Sequence, residues 1–287
     1  MIHFLKLMRP QQWIKNLFLF APLFFSFEYS LEKIASVFGG FILFSLASSA
    51  LYSLNDVLDR EEDQLHPVKK DRPIASGQIT HRSAIIFTIL LLIVSLGGGA
   101  LLNTGFLTVL ALYVLMNFAY SLKLKHISIL DISLIAIGFV LRIYAGAELI
   151  DVTPTHWIVL VTFLLALFLA LAKRRDDVLL GDKGIRTRTN ADGYNLEMIN
   201  AGMVFMAGVT TVAYIMYTLS EDVIARLDSE NIYMTSAFVV IGILRYMQIT
   251  FVENRSGNPT YLVIKDLFLQ LTIISWLISF LIFYFLL

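Results

Sequence analysis

Long apolar runs separated by short polar connections fill the chain from end to end. Set against the roughly 20 residues that a helix needs to cross a bilayer, these runs predict nine helices, at 10–28, 33–56, 82–102, 105–121, 129–149, 155–174, 197–219, 232–251 and 265–286. The connections are too short to separate independent domains. The expectation is therefore an all-α, polytopic membrane protein with a single transmembrane domain over 1–287. Pro10, Lys15, Asn16 and Pro22 interrupt the first run and make it the least regular. The apolar stretch from Leu17 to Phe27 lacks a small-residue cleavage site, so it reads as a retained span rather than a signal peptide.

Composition and charge add the solvent and the orientation. The chain is 57% apolar and 15% charged, with a mean hydropathy of +0.75, whereas about 25% of residues are charged in ordinary soluble domains. Its solvent is the lipid bilayer. Lys and Arg number 22 and Asp and Glu 22, so no net charge attracts nucleic acid. The absence of cysteine removes disulfides and thiolate metal sites. Of the 22 basic residues, only Lys33 and Arg226 fall on one side of the predicted spans and Arg142 falls within one; the rest share the other side. By the positive-inside rule the amino terminus and the charged loops are cytoplasmic and the carboxyl terminus is outside, as in an integral inner (cytoplasmic) membrane protein.

The second predicted helix runs directly into Asn55-Asp56-Val57-Leu58-Asp59-Arg60-Glu61-Glu62-Asp63. Asp56, Asp59 and Asp63 follow a three-then-four spacing, which puts three carboxylates on one helical face, with Asn55 one turn before Asp59. Such a cluster repels itself unless a cation sits among it. Mg²⁺ fits, because it is commonly held by one or two carboxylates, water and a substrate phosphate. A second segment, Lys173-Arg174-Arg175-Asp176-Asp177-Val178-Leu179-Leu180-Gly181-Asp182, lies four crossings later and so on the same face. The two could converge on one cavity, and their placing hints at a duplicated four-helix unit. Ordinary solvated loop charge is the alternative for each, and the periodicity of the first cluster weighs against it.

Asn-Asp-x-x-Asp-x-x-x-Asp at the end of the second of nine helices, matched by Asn55 to Asp63, resembles the signature of the UbiA superfamily of intramembrane prenyltransferases. Arg9-Pro10-Gln11-Gln12-Trp13-Ile14-Lys15-Asn16, the stretch from His66 to Gly77, Tyr120-Ser121-Leu122-Lys123, and Leu141 to Ala147 resemble its decaprenyl-phosphate phosphoribosyltransferase branch (decaprenylphosphoryl-5-phosphoribose synthases). The likeness runs from the first helix to about Asn195. It implies a UbiA-like bundle, a Mg²⁺ requirement, and transfer of 5-phosphoribose from phosphoribosyl pyrophosphate to a polyprenyl phosphate. The products would be polyprenyl-phosphoryl-5-phosphoribose, for cell envelope biosynthesis, and pyrophosphate.

Loss of pyrophosphate from an anomeric or allylic carbon develops positive charge on carbon and negative charge on the leaving oxygens, which a metal ion and basic groups stabilise. The expected catalytic set is Asp56, Asp59 and Asp63, holding Mg²⁺, with Lys173. Asn55 would orient a ligand or a water; Lys69, Arg72, Lys123, Lys173 and Arg174 would neutralise phosphate oxygens; Tyr120 joins the substrate-binding set through its motif. Arg9, Lys15 and Asn16 are expected either to bind the lipid phosphate or the ribose 5-phosphate or to serve topology alone, the reading preferred for Arg9. A phosphate monoester is already ionised near neutral pH, so no activating His is required. Arg142, about thirteen residues into the fifth span, is expected to face a cavity or a partner, and both a substrate contact and a structural pairing are open to it. Asp131 marks the helix boundary or joins the polar cavity.

The superfamily's second motif is usually Asp-x-x-x-Asp, whereas here Asp176 and Asp177 are adjacent and Asp182 follows. Adjacent residues do not share a helical face, so at most one of the pair enters a common site, and Asp177 is preferred. His66 fits a helix end; His3, His81, His126 and His156 have no ligand spacing, and Gly97-Gly98-Gly99 lacks the Lys-Ser/Thr of a phosphate loop. Two other functions stay open. One is a UbiA-type aromatic prenyltransferase using a prenyl diphosphate donor, against which Gln-Trp-x-Lys-Asn and Tyr-Ser-x-x-Leu-Lys weigh. The other is a non-enzymatic ion or phosphate transporter, whose carboxylates would be expected near mid-membrane on broken helices.

Overall fold

The computed structural model describes residues 2–27, 29–66, 68–182, 193–255 and 259–285, apart from the side chains of 182, 226–227 and 284–285. Pro67, Lys183, Arg186, Arg188 and the side chains of Asp182 and Arg226 thus lie outside the described residues. The described residues are mostly helical, with no strand among them. They divide into two compact units, Met1–Thr155 with Gly181–Gly193, and His156–Leu180 with Tyr194–Leu287.

The first unit opens with α1 (Ile2–Met8), a 3₁₀ segment (Pro10–Phe20) and α2 (Ala21–Ser26). There follow α3 (Leu31–Leu58), α4 (Arg60–Leu65), α5 (His81–Leu102), α6 (Thr104–Leu122) and α7 (Leu130–Glu148). Polar residues start the long helices: the side-chain oxygens of Ser30, Thr80 and Asn103 accept from the backbone N–H groups of Lys33 (3.2 Å), Ser83 (3.2 Å) and Phe106 (2.8 Å). Packed on α3 are α5, α6 and the amino-terminal segment. Ser45, Ala47, Ser48, Ser49, Ala50 and Ser53, all buried, keep its surface small enough for close approach. Leu19, Phe44, Phe106, Leu110 and Tyr113 fill the core beside it. Ile86, Ile89, Leu90 and Ile93 of α5 remain exposed, an outer face suited to lipid.

In the second unit, α8 (His156–Asp182), α9 (Leu196–Thr218) and α10 (Glu221–Leu227) precede a 3₁₀ turn (Glu230–Thr235), α11 (Ser236–Phe251), α12 (Pro259–Lys265) and α13 (Leu267–Phe285). Packing joins α11 to α9 and α13. The Trp276 indole N–H donates to the Tyr214 hydroxyl (2.6 Å), which is 2.7 Å from the Thr235 hydroxyl, so one buried polar chain ties α13, α9 and the turn before α11.

Among the described residues seven helices are long and apolar enough to cross a membrane, or eight if a bent pair counts as one span. The predicted span 10–28 is the interrupted one. Arg9 (φ 52°) and Phe27 (φ 57°) adopt left-handed backbone, and Pro10 and Pro22, which have no N–H to donate, sit at the starts of the 3₁₀ segment and of α2. The last predicted span is the bent pair: α12 and α13 meet at 83°. Asp266 at the break accepts from the Leu269 N–H (2.9 Å) and from Arg245 of α11 (2.6 Å). Helix α8 continues well past the predicted end at 174, because Lys173 to Leu180 contains no helix breaker. Its charged segment is helix rather than loop.

Candidate active site

Helix α3 stops at Leu58, and Asp59 (φ −90°, ψ 10°) turns the chain into α4. That corner divides the acidic cluster, so the single face of three carboxylates expected from the spacing becomes two loci. At the first, Asp56 and Asp63, each 2% exposed, converge on one guanidinium nitrogen of Arg72, 3.0 Å from Asp56 Oδ1 and 2.6 Å from Asp63 Oδ2. Arg9 also pairs with Asp56 and lies over the Tyr52 ring, 5.3 Å from its centroid. Burial, with the Asp56 charge adding to it, pushes the Asp63 carboxyl above its ordinary range, opposed by Arg72 and Lys69. At the second locus, Asp59 pairs with the buried Lys125 and accepts from Asn55 Nδ2 (2.9 Å).

Among the described residues no three His, Asp or Glu side chains are gathered closely enough to hold an ion. The Asp56–Asp63 pair nevertheless fits one. Two buried carboxylate oxygens already meet at a single cationic atom, and Mg²⁺ needs only one or two carboxylates when water and phosphate supply the remaining ligands.

Deeper along α3 lies a cationic locus of a different kind. Arg142 is buried and donates from Nε to Asn16 Oδ1 (2.8 Å), from NH1 to the Gly138 carbonyl (2.7 Å) and from NH2 to the Tyr113 hydroxyl (3.0 Å). Its guanidinium carbon lies 5.1, 4.9 and 5.3 Å from the ring centroids of Phe44, Tyr113 and Phe139. Asn16 in turn donates to Ser45 (2.9 Å), and Trp13 donates to Ser49 (3.0 Å). Half-buried Lys15 feels the charges of Arg142 and Arg9 and the hydroxyls of Tyr113 and Tyr120.

Lys123, expected at the phosphates, is exposed; Lys125, two residues on and across a 3₁₀ turn, is the lysine that reaches Asp59. Glu61 and Glu62 are exposed. The His66 ring nitrogen accepts from the Val68 and Lys69 N–H groups (3.2 and 3.3 Å), a turn-forming role that matches its reading as a helix-end residue. In the second unit, Arg174 donates to Asp177 (2.5 Å) and Lys173 is half-buried on the same helix. Arg175 holds Asn200 (3.0 Å), the Thr250 carbonyl (2.7 Å) and Asn254 (3.1 Å), so it fixes α8 against α9 and the end of α11. Of the two adjacent aspartates, Asp177 takes Arg174, and the charge of Asp176 is felt by Arg175 and Tyr246.

Residues 17–272 match the model of the UbiA prenyltransferase family. The chain belongs to that family. This UbiA protein is 32% identical to the decaprenyl-phosphate phosphoribosyltransferase of Mycolicibacterium smegmatis over 285 residues, 95% of its own length and 89% of the relative's. It is 30% identical to the protein of the same name from Corynebacterium glutamicum, over 95% of its length and 83% of that chain. Its fold is that of a UbiA homolog from Archaeoglobus fulgidus solved with GPP and Mg²⁺ (TM-score 0.72, 21% identity, 99% of this chain and 98% of that one). It is an integral membrane transferase of the UbiA family.

Proposed function

We propose that the protein transfers 5-phosphoribose from phosphoribosyl pyrophosphate to a polyprenyl phosphate, releasing pyrophosphate, with Mg²⁺, at the cytoplasmic face of the inner membrane. The observation that carries the proposal is the convergence of two buried carboxylates, Asp56 and Asp63, on one guanidinium nitrogen of Arg72, with Arg9 also paired to Asp56. The choice of donor and acceptor rests on the near full-length likeness to decaprenyl-phosphate phosphoribosyltransferases.

Bound there, Mg²⁺ supplies the positive charge that draws electrons into the departing pyrophosphate. Asp56 and Asp63 would hold it, and Arg72 and Arg9, which pair with these carboxylates, would grip phosphate oxygens, Arg72 in the two-pronged manner that a guanidinium permits. Lys125 keeps Asp59 and Asn55 in place beside this group. An ionised phosphate monoester attacks the anomeric carbon without help from a base, which agrees with a site built of carboxylates, arginines and a lysine.

A donor comparison tests the proposal. Purified protein given labelled phosphoribosyl pyrophosphate or a prenyl diphosphate, with polyprenyl phosphate and Mg²⁺, should yield lipid-soluble label from the first donor only and none in EDTA. Transfer from the prenyl diphosphate to an aromatic acid, with none from phosphoribosyl pyrophosphate, would assign the chain to the aromatic prenyltransferases instead.

A further inference from the structure

We infer that Lys15 and Arg142 receive the 5-phosphate of the donor, so that the protein selects a sugar phosphorylated at both ends. The inference deepens the proposed donor assignment and rests on it. Arg142 is 4% exposed and gives its hydrogen bonds to neutral oxygens alone. Among the described residues no ion pair reaches Arg142 or Lys15. A single arginine boxed by rings and amides is explicable as packing. A second cation, half-buried Lys15, on the residue before the Asn16 that Arg142 bonds, is not, because two uncompensated charges inside an apolar bundle each cost a few kcal/mol and repel one another. An anion between them relieves both costs.

Position identifies the anion. Arg9 is bonded to Asp56, and from there the amino-terminal segment descends along α3: Trp13 bonds Ser49, two turns before Asp56, and Asn16 bonds Ser45, three turns or roughly 16 Å before it along the helix axis. Lys15 lies between Trp13 and Asn16 on that segment, next to the residue that bonds both Arg142 and Ser45. A prenyl diphosphate held at Asp56 and Asp63 would run hydrocarbon over these cations. The acceptor's phosphate is tied to a long chain that must leave for the bilayer, whereas buried Leu19, Phe44 and Tyr113 wall this locus. Phosphoribosyl pyrophosphate carries anions at both ends of one pentose, and it alone of the three places a second, tail-free phosphate inward of the first.

Two measurements test the inference on the purified full chain. In EDTA, ribose 5-phosphate should bind the wild type and ribose should not, and K15M and R142K should each weaken that binding about 10- to 100-fold, the loss expected for a charge-assisted contact. In Mg²⁺, the wild type should prefer phosphoribosyl pyrophosphate over the same diphosphate lacking the 5-phosphate, and K15M should shrink that preference mainly through KM. Ribose 5-phosphate binding unchanged in K15M and R142K, or an equal loss for both donors, overturns the inference and leaves the reaction standing. No transfer from phosphoribosyl pyrophosphate in the wild type, with Lys15-dependent binding of ribose 5-phosphate intact, overturns the donor assignment and leaves the phosphate site standing.

Discussion

Removing Arg72 tests how the acidic locus is balanced. In Arg72→Met, Asp56 keeps Arg9, but Asp63 loses its bonded partner while it is 2% exposed and close to Asp56. Two charge-assisted bonds disappear, each worth roughly 1.5–3 kcal/mol. The Arg72 side chain is 25% exposed, so solvent screening brings the net loss down to about 2–3 kcal/mol. Burial already raises the folded-state pKa of Asp63 above its unfolded value, and loss of Arg72 raises it further. Such a carboxyl contributes stability that is present below the unfolded pKa and lost as pH rises through the folded one. The variant should therefore be weakened more at about pH 8 than at about pH 5. Mg²⁺ should restore what Arg72 supplied, gaining about 2.7 kcal/mol at a hundredfold excess over its Kd, and should do less for the wild type, where it must displace the guanidinium. Thermal unfolding in detergent, with and without Mg²⁺ at both pH values, reads all of this. Equal Mg²⁺ stabilisation of the two proteins, or a deficit that shrinks as pH rises, would refute the reasoning.

Asp56→Asn should lower kcat/KM by at least about 10²-fold while folded protein is still recovered, and Glu61→Gln, at an exposed position, should stay within about 0.5 kcal/mol of wild-type stability with turnover retained; equal losses of folded protein in both would give these residues a structural role. Lys125→Gln should cost about 1–3 kcal/mol in thermal stability, and a double-mutant cycle with Asp59→Asn should show coupling between the two; additive losses would mean that the pair is not formed. Gly146→Ala should destabilise by about 1–3 kcal/mol, because a Cβ there collides with the Leu19 carbonyl, whereas Gly97→Ala meets nothing within 4 Å and should be neutral or slightly stabilising.

Much of this was readable in the chain, for physical reasons that also mark where reading stopped. Apolar run length identifies membrane helices because the bilayer imposes one thickness, and the prolines at 10 and 22 flagged the broken first segment. The continuation of α8 escaped because helix is set by backbone bonding and hydropathy is not; the charges from Lys173 onward ended the apolar run without ending the helix. The corner at Asp59 had no Pro or Gly to announce it, so the split of the carboxylates became visible only in three dimensions. The bend at Asp266 escaped likewise, since it is pinned by Arg245 from another helix. Arg9 looked like an orientation signal, and Lys125 stands two residues beyond Lys123, the lysine expected at the phosphates. A spacing rule could have raised Lys125, the second basic residue of Tyr-Ser-x-x-Leu-Lys, but nothing in the sequence says which lysine a 3₁₀ turn will aim inward.

The central claim is that Asp56 and Asp63 define one cation position to which the donor's pyrophosphate is brought. A structure of the protein with Mn²⁺ and a non-hydrolysable phosphoribosyl pyrophosphate analogue, with anomalous scattering recorded at the metal edge, tests it most directly. A metal peak between the two carboxylates, with Arg72 withdrawn onto the diphosphate, is the expected result; analogue bound with no metal there and Arg72 still bridging the two acids would contradict it.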